Sequence, residues 1–325
     1  MSGSSIPEPV TAVTELAGAW LPIRLSEVED RLKGLVAEQQ QPLADDAAST
    51  LEAGGKRMRP LLVLLCAGPG AGEGATRAAA AIELVHMATL VHDDILDAAP
   101  LRRGRPTVVA TAGRERALAT GDLLFSRAFE LLAEPGSERA VRALAQASTA
   151  LAQGELAQRQ DAFDLGVTTE RYLHRCELKT AALFECACVI GRERVAAEEA
   201  ALREFGRQIG LAFQLLDDVL DVLGPPERTG KARGTDLLDG TVTLPLIRAI
   251  ERDPSLASTD LRTLDAEEAV AVCDRIAATG AAEQVRAEAR ERVAAAKSGL
   301  EAASLPPEEL VMLATVADGV VERYS

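Results

Sequence analysis

Two stretches of this chain carry aspartates at a spacing that suits a metal. One reads HDDILD and supplies Asp93, Asp94 and Asp97; the other reads LLDDVLD and supplies Asp217, Asp218 and Asp221. A helix turns about 100° per residue, so the first and last carboxylates of each set share a face, one turn apart. Stacked carboxylates repel unless a cation sits between them. Mg²⁺ suits that role, because it prefers oxygen ligands and keeps open positions for phosphate oxygens. Gln214 lies one turn before Asp217, and Arg102 and Arg103 follow the first set as rigid donor forks suited to phosphate. A single such motif reads most simply as a solvated helix end. Two copies, each preceded by an apolar run, point instead to a shared chemical task.

Further cations are concentrated where a helix ordinarily repels them. Gly54 and Gly55 break the pattern before Lys56, Arg57, Met58, Arg59 and Pro60, and an apolar helix follows over residues 61–67. Helix N-termini disfavour cations but hold phosphate well, so this stretch suggests a bound anion. His86 stands two turns ahead of Asp93 on the same face, which makes it a candidate ligand contact as well as a candidate structural histidine. His92 points elsewhere and reads as a packing residue. Lys179 and Thr180 sit amid apolar neighbours, where a lysine is either a snorkelling edge residue or an anion contact. Lys231 stands in a polar loop over residues 229–239.

Composition narrows the function classes. A net charge of −15 argues against nucleic acid or an anionic membrane as a general partner and leaves membrane contact peripheral at most. The five cysteines lack framework spacing, and no n-region followed by an h-region or spanning apolar run is visible. The expectation is a soluble, cytoplasmic protein with reduced thiols.

These residues are positioned by helices. The chain is rich in Ala, Leu, Glu and Arg, poor in aromatics and 47% apolar, which favours an all-α fold with a large core. Residues 1–20 read as a flexible arm and 21–325 as a single helical domain. Helical pattern begins near Leu25. A long helix is expected from Thr76 to Ala98, others over 107–133, 137–162 and 169–190, and the second acidic helix over 197–223, with the next starting near Thr241.

In the family's order and spacing, GGKRMRP at 54–60, HDDILDAAPLRRGRPT at 92–107, GDLLFSRAF at 121–129, ELKTAALF at 177–184, FQLLDDVLD at 213–221 and KARGTDLLDGTVTLP at 231–245 resemble the all-trans polyprenyl diphosphate synthases, here of long-chain type. The resemblance covers about residues 25–250. It implies an all-α bundle around a central cavity, usually in a homodimer, that condenses isopentenyl diphosphate head-to-tail with an allylic diphosphate. It implies that Asp93, Asp94, Asp97, Asp217, Asp218 and Asp221 hold about three Mg²⁺ ions, hard cations that take oxygen ligands. Lys56, Arg59, His86 and Arg103 would hold isopentenyl diphosphate. Arg102, Lys179, Thr180, Gln214 and Lys231 would contact the allylic diphosphate, with Lys179 also counted as catalytic. One departure is Thr241, where many members carry lysine after the glycine of DLxxG.

Product length follows from what lies upstream of Asp93. In short-chain members a bulky aromatic there closes the cavity; here the positions are Thr89 and Ala88, with Val85 and Ala81 further up. The helix ahead of the motif is about 33 Å long, so a tunnel along it accommodates several isoprene units and a product above C20. A bulky residue from elsewhere, such as Phe129 or Phe163, would close the tunnel instead. Geranylgeranyl or farnesyl diphosphate synthase and a non-catalytic partner subunit remain as alternatives.

Overall fold

The computed structural model describes residues 8–133, 138–224 and 233–322. Lys231 lies outside them. As the composition leads one to expect, the fold is all-α, with one two-stranded hairpin. In chain order the helices are α1 Glu8–Ala17, α2 Trp20–Ala37, α3 Leu43–Glu52, α4 Met58–Ala67, α5 Glu73–Leu96, α6 Val108–Ala112, α7 Arg114–Leu132, α8 Glu138–Gln160, α9 Thr169–Cys176, α10 Ala182–Ile190, α11 Ala196–Leu223, α12 Thr235–Leu238, α13 Leu244–Arg252, α14 Ala266–Ala278, α15 Ala281–Glu301 and α16 Pro307–Glu322. The hairpin pairs β1 Leu101–Arg102 with β2 Arg105–Pro106.

By its internal contacts the chain divides into two compact units. The first comprises residues 1–148, 183–203 and 303–316; the second comprises 149–182, 204–302 and 317–325. In the first unit α5 is the central rod and packs against α7, α4, α2, α6 and α3. Its stretch from Ala78 to Val85 is buried on every side, as is Leu61 to Ala67 of α4. Apart from Glu83, which pairs with Arg57, these stretches are apolar all round and belong in a core, where each fully buried leucine contributes roughly 1.5–3 kcal/mol relative to an exposed one. In the second unit α13 packs on α15 and α9, α14 on α15, and α12 on α14.

Three departures from the sequence reading have local causes. The arm expected over 1–20 is helical from Glu8 to Ala17, and Val13 is fully buried; the helix ends at Gly18, whose φ is +68°. The helix expected over 107–133 is two, because Gly113 takes φ +83° between α6 and α7; the Thr107 hydroxyl caps α6, accepting from Ala110 N at 3.2 Å. The helix expected over 169–190 holds a π-helical turn at Glu177–Ala181. Among the described residues, no helix is long and apolar enough to cross a membrane.

Candidate active site

In the first unit the Gly54–Gly55 turn and the hairpin bring cations to one place. Arg103 and Gly104 form the hairpin's two-residue turn with φ of +52° and +75°, the signs a type I′ turn demands. Gly55 is needed for close approach: a Cβ there would lie 3.0 Å from an Arg103 guanidinium nitrogen and 3.3 Å from one of Arg57. Arg57 itself takes φ +48° at the N-cap of α4, and Ala98, just past the first motif, takes φ +48° as well. Non-glycine residues in that region are strained and cluster where function requires it.

The cations differ in what holds them. Arg57 is committed to carboxylates: it donates to Glu83 at 2.7 Å and pairs with Glu29. Burial would lower its pKa, but these partners outweigh that and raise it. The sequence offered it as part of an anion-binding cluster; its geometry makes it the strut that fixes the loop. The Arg59 guanidinium carbon lies over the Phe184 ring, 4.7 Å from its centroid, and its buried Nε has no hydrogen-bond partner among the described residues. Burial, with Arg103 adding to it, brings the Arg59 pKa down to about 10 against the pull of Glu83, so the group is still charged at neutral pH. His86 is driven well below its ordinary value, by burial first and then by Arg59, Arg103, Arg102 and Arg57. It is therefore a neutral imidazole among guanidinium groups.

The first aspartate set lies at the end of α5. Asp94 is buried and accepts from Arg102 Nε at 2.7 Å, Asp93 is half-buried and Asp97 is exposed. A small open cleft is lined by Asp94, Arg102, Arg103, Arg105, Thr50 and Leu90, among others. Upstream, Ala81, Val85 and Ala88 are fully buried, and Thr89 donates its hydroxyl to the His86 carbonyl at 2.8 Å. His92 is a packing residue, as its direction on the helix suggested: its ring stacks on Phe125 at 5.8 Å and fills the space above Gly121, where a Cβ would lie 2.1 Å from Nε2.

The second unit builds its own cluster. Asp217 is exposed, while Asp218 is buried with both oxygens engaged: Tyr172 donates its hydroxyl to one and Gln214 Nε2 donates to the other at 2.7 Å. Burial pushes the Asp218 carboxyl up to about 7 despite these donors, with Asp217 adding to the rise. Asp221 accepts from the Asp236 amide at 3.3 Å, and its carbonyl accepts from Gly234 N, so it anchors the start of α12. The π turn carries Lys179 and Thr180; Thr180 donates to Gln214 Oε1 at 2.7 Å, and Lys179 pairs with Glu155. Burial would raise the Glu155 carboxyl, but Lys179 and Arg159 outweigh it and hold it low. Gly154 lets α8 touch the turn, since a Cβ there would lie 2.5 Å from Lys179 N. Phe163, a candidate tunnel floor, stacks under Arg262 at 4.4 Å and packs on Gly240.

Each unit thus gathers its own share of the residues picked out from sequence: Arg59, His86, Arg102 and Arg103 with Asp93, Asp94 and Asp97 in the first, Lys179, Thr180 and Gln214 with Asp217, Asp218 and Asp221 in the second. Among the described residues, no three His, Cys, Asp or Glu side chains already converge as a metal cage. Even so, the donor set is hard oxygen with exposed members, which fits Mg²⁺ completed by phosphate oxygens rather than an all-protein cage. Sequence reasoning missed Tyr172, Glu83 and Glu29. Of these, Tyr172 left a signal: it is one of two tyrosines, placed about two helical turns before Lys179.

The comparisons with known proteins agree with this chemistry. The family model described as polyprenyl synthetase matches residues 40–278. A protein named heptaprenyl diphosphate synthase component 2, from Geobacillus stearothermophilus, is 40% identical over 268 residues, covering 80% of this chain and 83% of the relative. The crystal structure of a decaprenyl diphosphate synthase from Rhodobacter capsulatus superposes with a TM-score of 0.87 at 31% identity, covering 97% of this chain and 99% of that one. The polyprenyl synthase from Caulobacter crescentus CB15, complexed with calcium and isoprenyl diphosphate, superposes with a TM-score of 0.86 at 33% identity over 99% of this chain and 100% of that one. The chain belongs to the polyprenyl synthetase family, and it is a prenyltransferase of the all-α isoprenoid synthase fold.

Proposed function

We propose that the protein joins isopentenyl diphosphate to an allylic diphosphate and repeats the step to a product longer than C20. Asp93, Asp94, Asp97, Asp217, Asp218 and Asp221 would hold Mg²⁺, with Asp97 and Asp217 the most exposed of them, while Asp94 also fixes Arg102, Asp218 fixes Gln214 and Asp221 accepts from the Asp236 amide. Bound Mg²⁺ supplies neutralisation of charge developing on the departing diphosphate. Arg102, Lys179, Thr180, Gln214 and Lys231 orient that diphosphate, which competes with Asp94 for Arg102 and with Glu155 for Lys179. Lys56, Arg59, His86 and Arg103 hold isopentenyl diphosphate, with His86 neutral and donating one N–H. Apolar walls keep water from the allylic cation. No side chain here is an obvious base for the final proton, so the departing diphosphate takes it. The protein works as a homodimer in the cytoplasm.

The observation that carries this reading is Arg59: a charged guanidinium whose buried Nε has no partner among the described residues, beside a second cation. Such an arrangement is stable when a polyanion completes it. Calorimetric titration of isopentenyl diphosphate tests it. Arg59→Ala is expected to weaken binding by roughly 30-fold or more, the loss expected when one partner of a buried charged hydrogen bond is removed; unchanged affinity would place the anion elsewhere.

Chain length rests on Ala81, Val85, Ala88 and Thr89, none of them bulky, and on long-chain names among the relatives. A second reading follows from the relative named as a component 2: this chain could be the catalytic half of a two-subunit synthase. Size-exclusion chromatography with a turnover assay on the purified chain separates the two.

A further inference from the structure

Tyr172 takes no part in the reaction as described so far, yet its hydroxyl is the one polar group of a ring that is only 1% exposed. That hydroxyl donates to Asp218. The other Asp218 oxygen accepts from Gln214 Nε2 at 2.7 Å, and Gln214 Oε1 accepts from Thr180 Oγ1 at 2.7 Å. Asp218 accepts at both oxygens, and Gln214 turns its amide nitrogen to Asp218 and its oxygen to Thr180, so the donors run one way along the chain. The chain joins α9, α11 and the π turn. Lys179 precedes Thr180, and Asp217 precedes Asp218.

We propose that Tyr172 is a positioning residue for the allylic diphosphate: by holding Asp218 it orients Gln214 and Thr180, and so sets the approach of Lys179 and Asp217. The inference rests on the reading of those two residues as diphosphate and metal contacts. The hydroxyl, not the ring, does the positioning. Arg175 independently pins α9, donating to the Val242 carbonyl at 2.6 Å and pairing with Asp161, and its guanidinium lies 5.3 Å from the Tyr172 ring. Removing the hydroxyl therefore leaves the helix seated but opens one arm of the Asp218 carboxylate. All of these groups belong to the second unit, whereas Arg59, His86 and Arg103 belong to the first.

Tyr172→Phe tests this. Losing a buried hydrogen bond to a charged group corresponds to about a tenfold effect or more. The KM for the allylic diphosphate and the half-saturating Mg²⁺ concentration are each expected to rise about tenfold. Calorimetric affinity for inorganic pyrophosphate with Mg²⁺ should fall by a similar factor. The KM for isopentenyl diphosphate should stay within about twofold, a split that a general loss of structure would not give. Tyr172→Met, which also lacks the hydroxyl but leaves Asp218 in place, should give the same selective change and serves if Tyr172→Phe does not fold. Wild-type constants in both folded variants, or an equal rise for both substrates, would overturn the role of Tyr172. Asp217→Ala in the same assays keeps the two levels apart: if it leaves Mg²⁺ dependence unchanged, the metal reading fails; if it abolishes turnover while the other variants behave as wild type, only the positioning role fails.

Discussion

His86 holds its proton state by its surroundings. Burial and four guanidinium groups keep it deprotonated in the folded chain, while in the unfolded chain it takes up a proton near pH 6.5. The folded-state pKa is depressed, so this contribution to stability is complete above about pH 6.5 and is lost as pH falls below that value toward the folded pKa. His86→Gln is therefore expected to flatten the fall in melting temperature between about pH 7 and pH 5.5. An undiminished slope would assign the effect to other groups. At this scale the two aspartate sets, Gln214 and the cations after Gly55 stand out by type and spacing, while Thr180 is singled out by the family resemblance. What it could not supply was the division of labour. Asp218 and Asp221 read the same as Asp217, and only burial and partners separate an exposed carboxylate from two that hold the scaffold. Arg57 reads the same as Arg59, and only the position of Glu29 and Glu83, far away in sequence, makes it a strut.

Between residue and fold stand the pieces that aim these side chains. Long helices were legible, because alanine-rich periodic runs with glycine and proline at their ends leave few alternatives; the second acidic helix spans Ala196–Leu223 against an expected 197–223. The hairpin and the π turn were not. A two-residue pairing such as Leu101–Arg102 with Arg105–Pro106 is too short to show a period of two, and a π turn differs from an α turn by one inserted residue that no pattern of apolar positions reveals. The contact that holds the π turn is Gly154, whose missing side chain admits the Lys179 backbone. Gly154→Ala would set a Cβ 2.5 Å from a backbone nitrogen, with no flexible atom to yield. The expected outcome is a stability loss of about 1–3 kcal/mol by urea denaturation together with a raised KM for the allylic substrate. Wild-type stability and kinetics would mean that the turn has room to move.

At the scale of the molecule the all-α class follows from composition, whereas the burial of all five free cysteines is a finding of the structure. The two compact units are each stitched from separated stretches of chain, and no linker, repeat or change of composition marks their boundaries. Product length is also a property of the whole. Ala88 is fully buried on α5, the central rod of the first unit, five residues before Asp93. Ala88→Phe is expected to shorten the main product by one or more isoprene units on mass spectrometry, at a stability loss of about 1–3 kcal/mol; an unchanged distribution would put the floor of the tunnel elsewhere.

The most direct test of the proposed reaction is product mass after incubating the purified chain with Mg²⁺, isopentenyl diphosphate and a panel of allylic primers. The expected result is a polyprenyl diphosphate longer than C20, with turnover lost on chelation and reduced by roughly a hundredfold or more in Asp93→Ala and Asp217→Ala proteins that keep wild-type circular dichroism. Primer consumed equally well without isopentenyl diphosphate, or elongation that survives both substitutions, would contradict it.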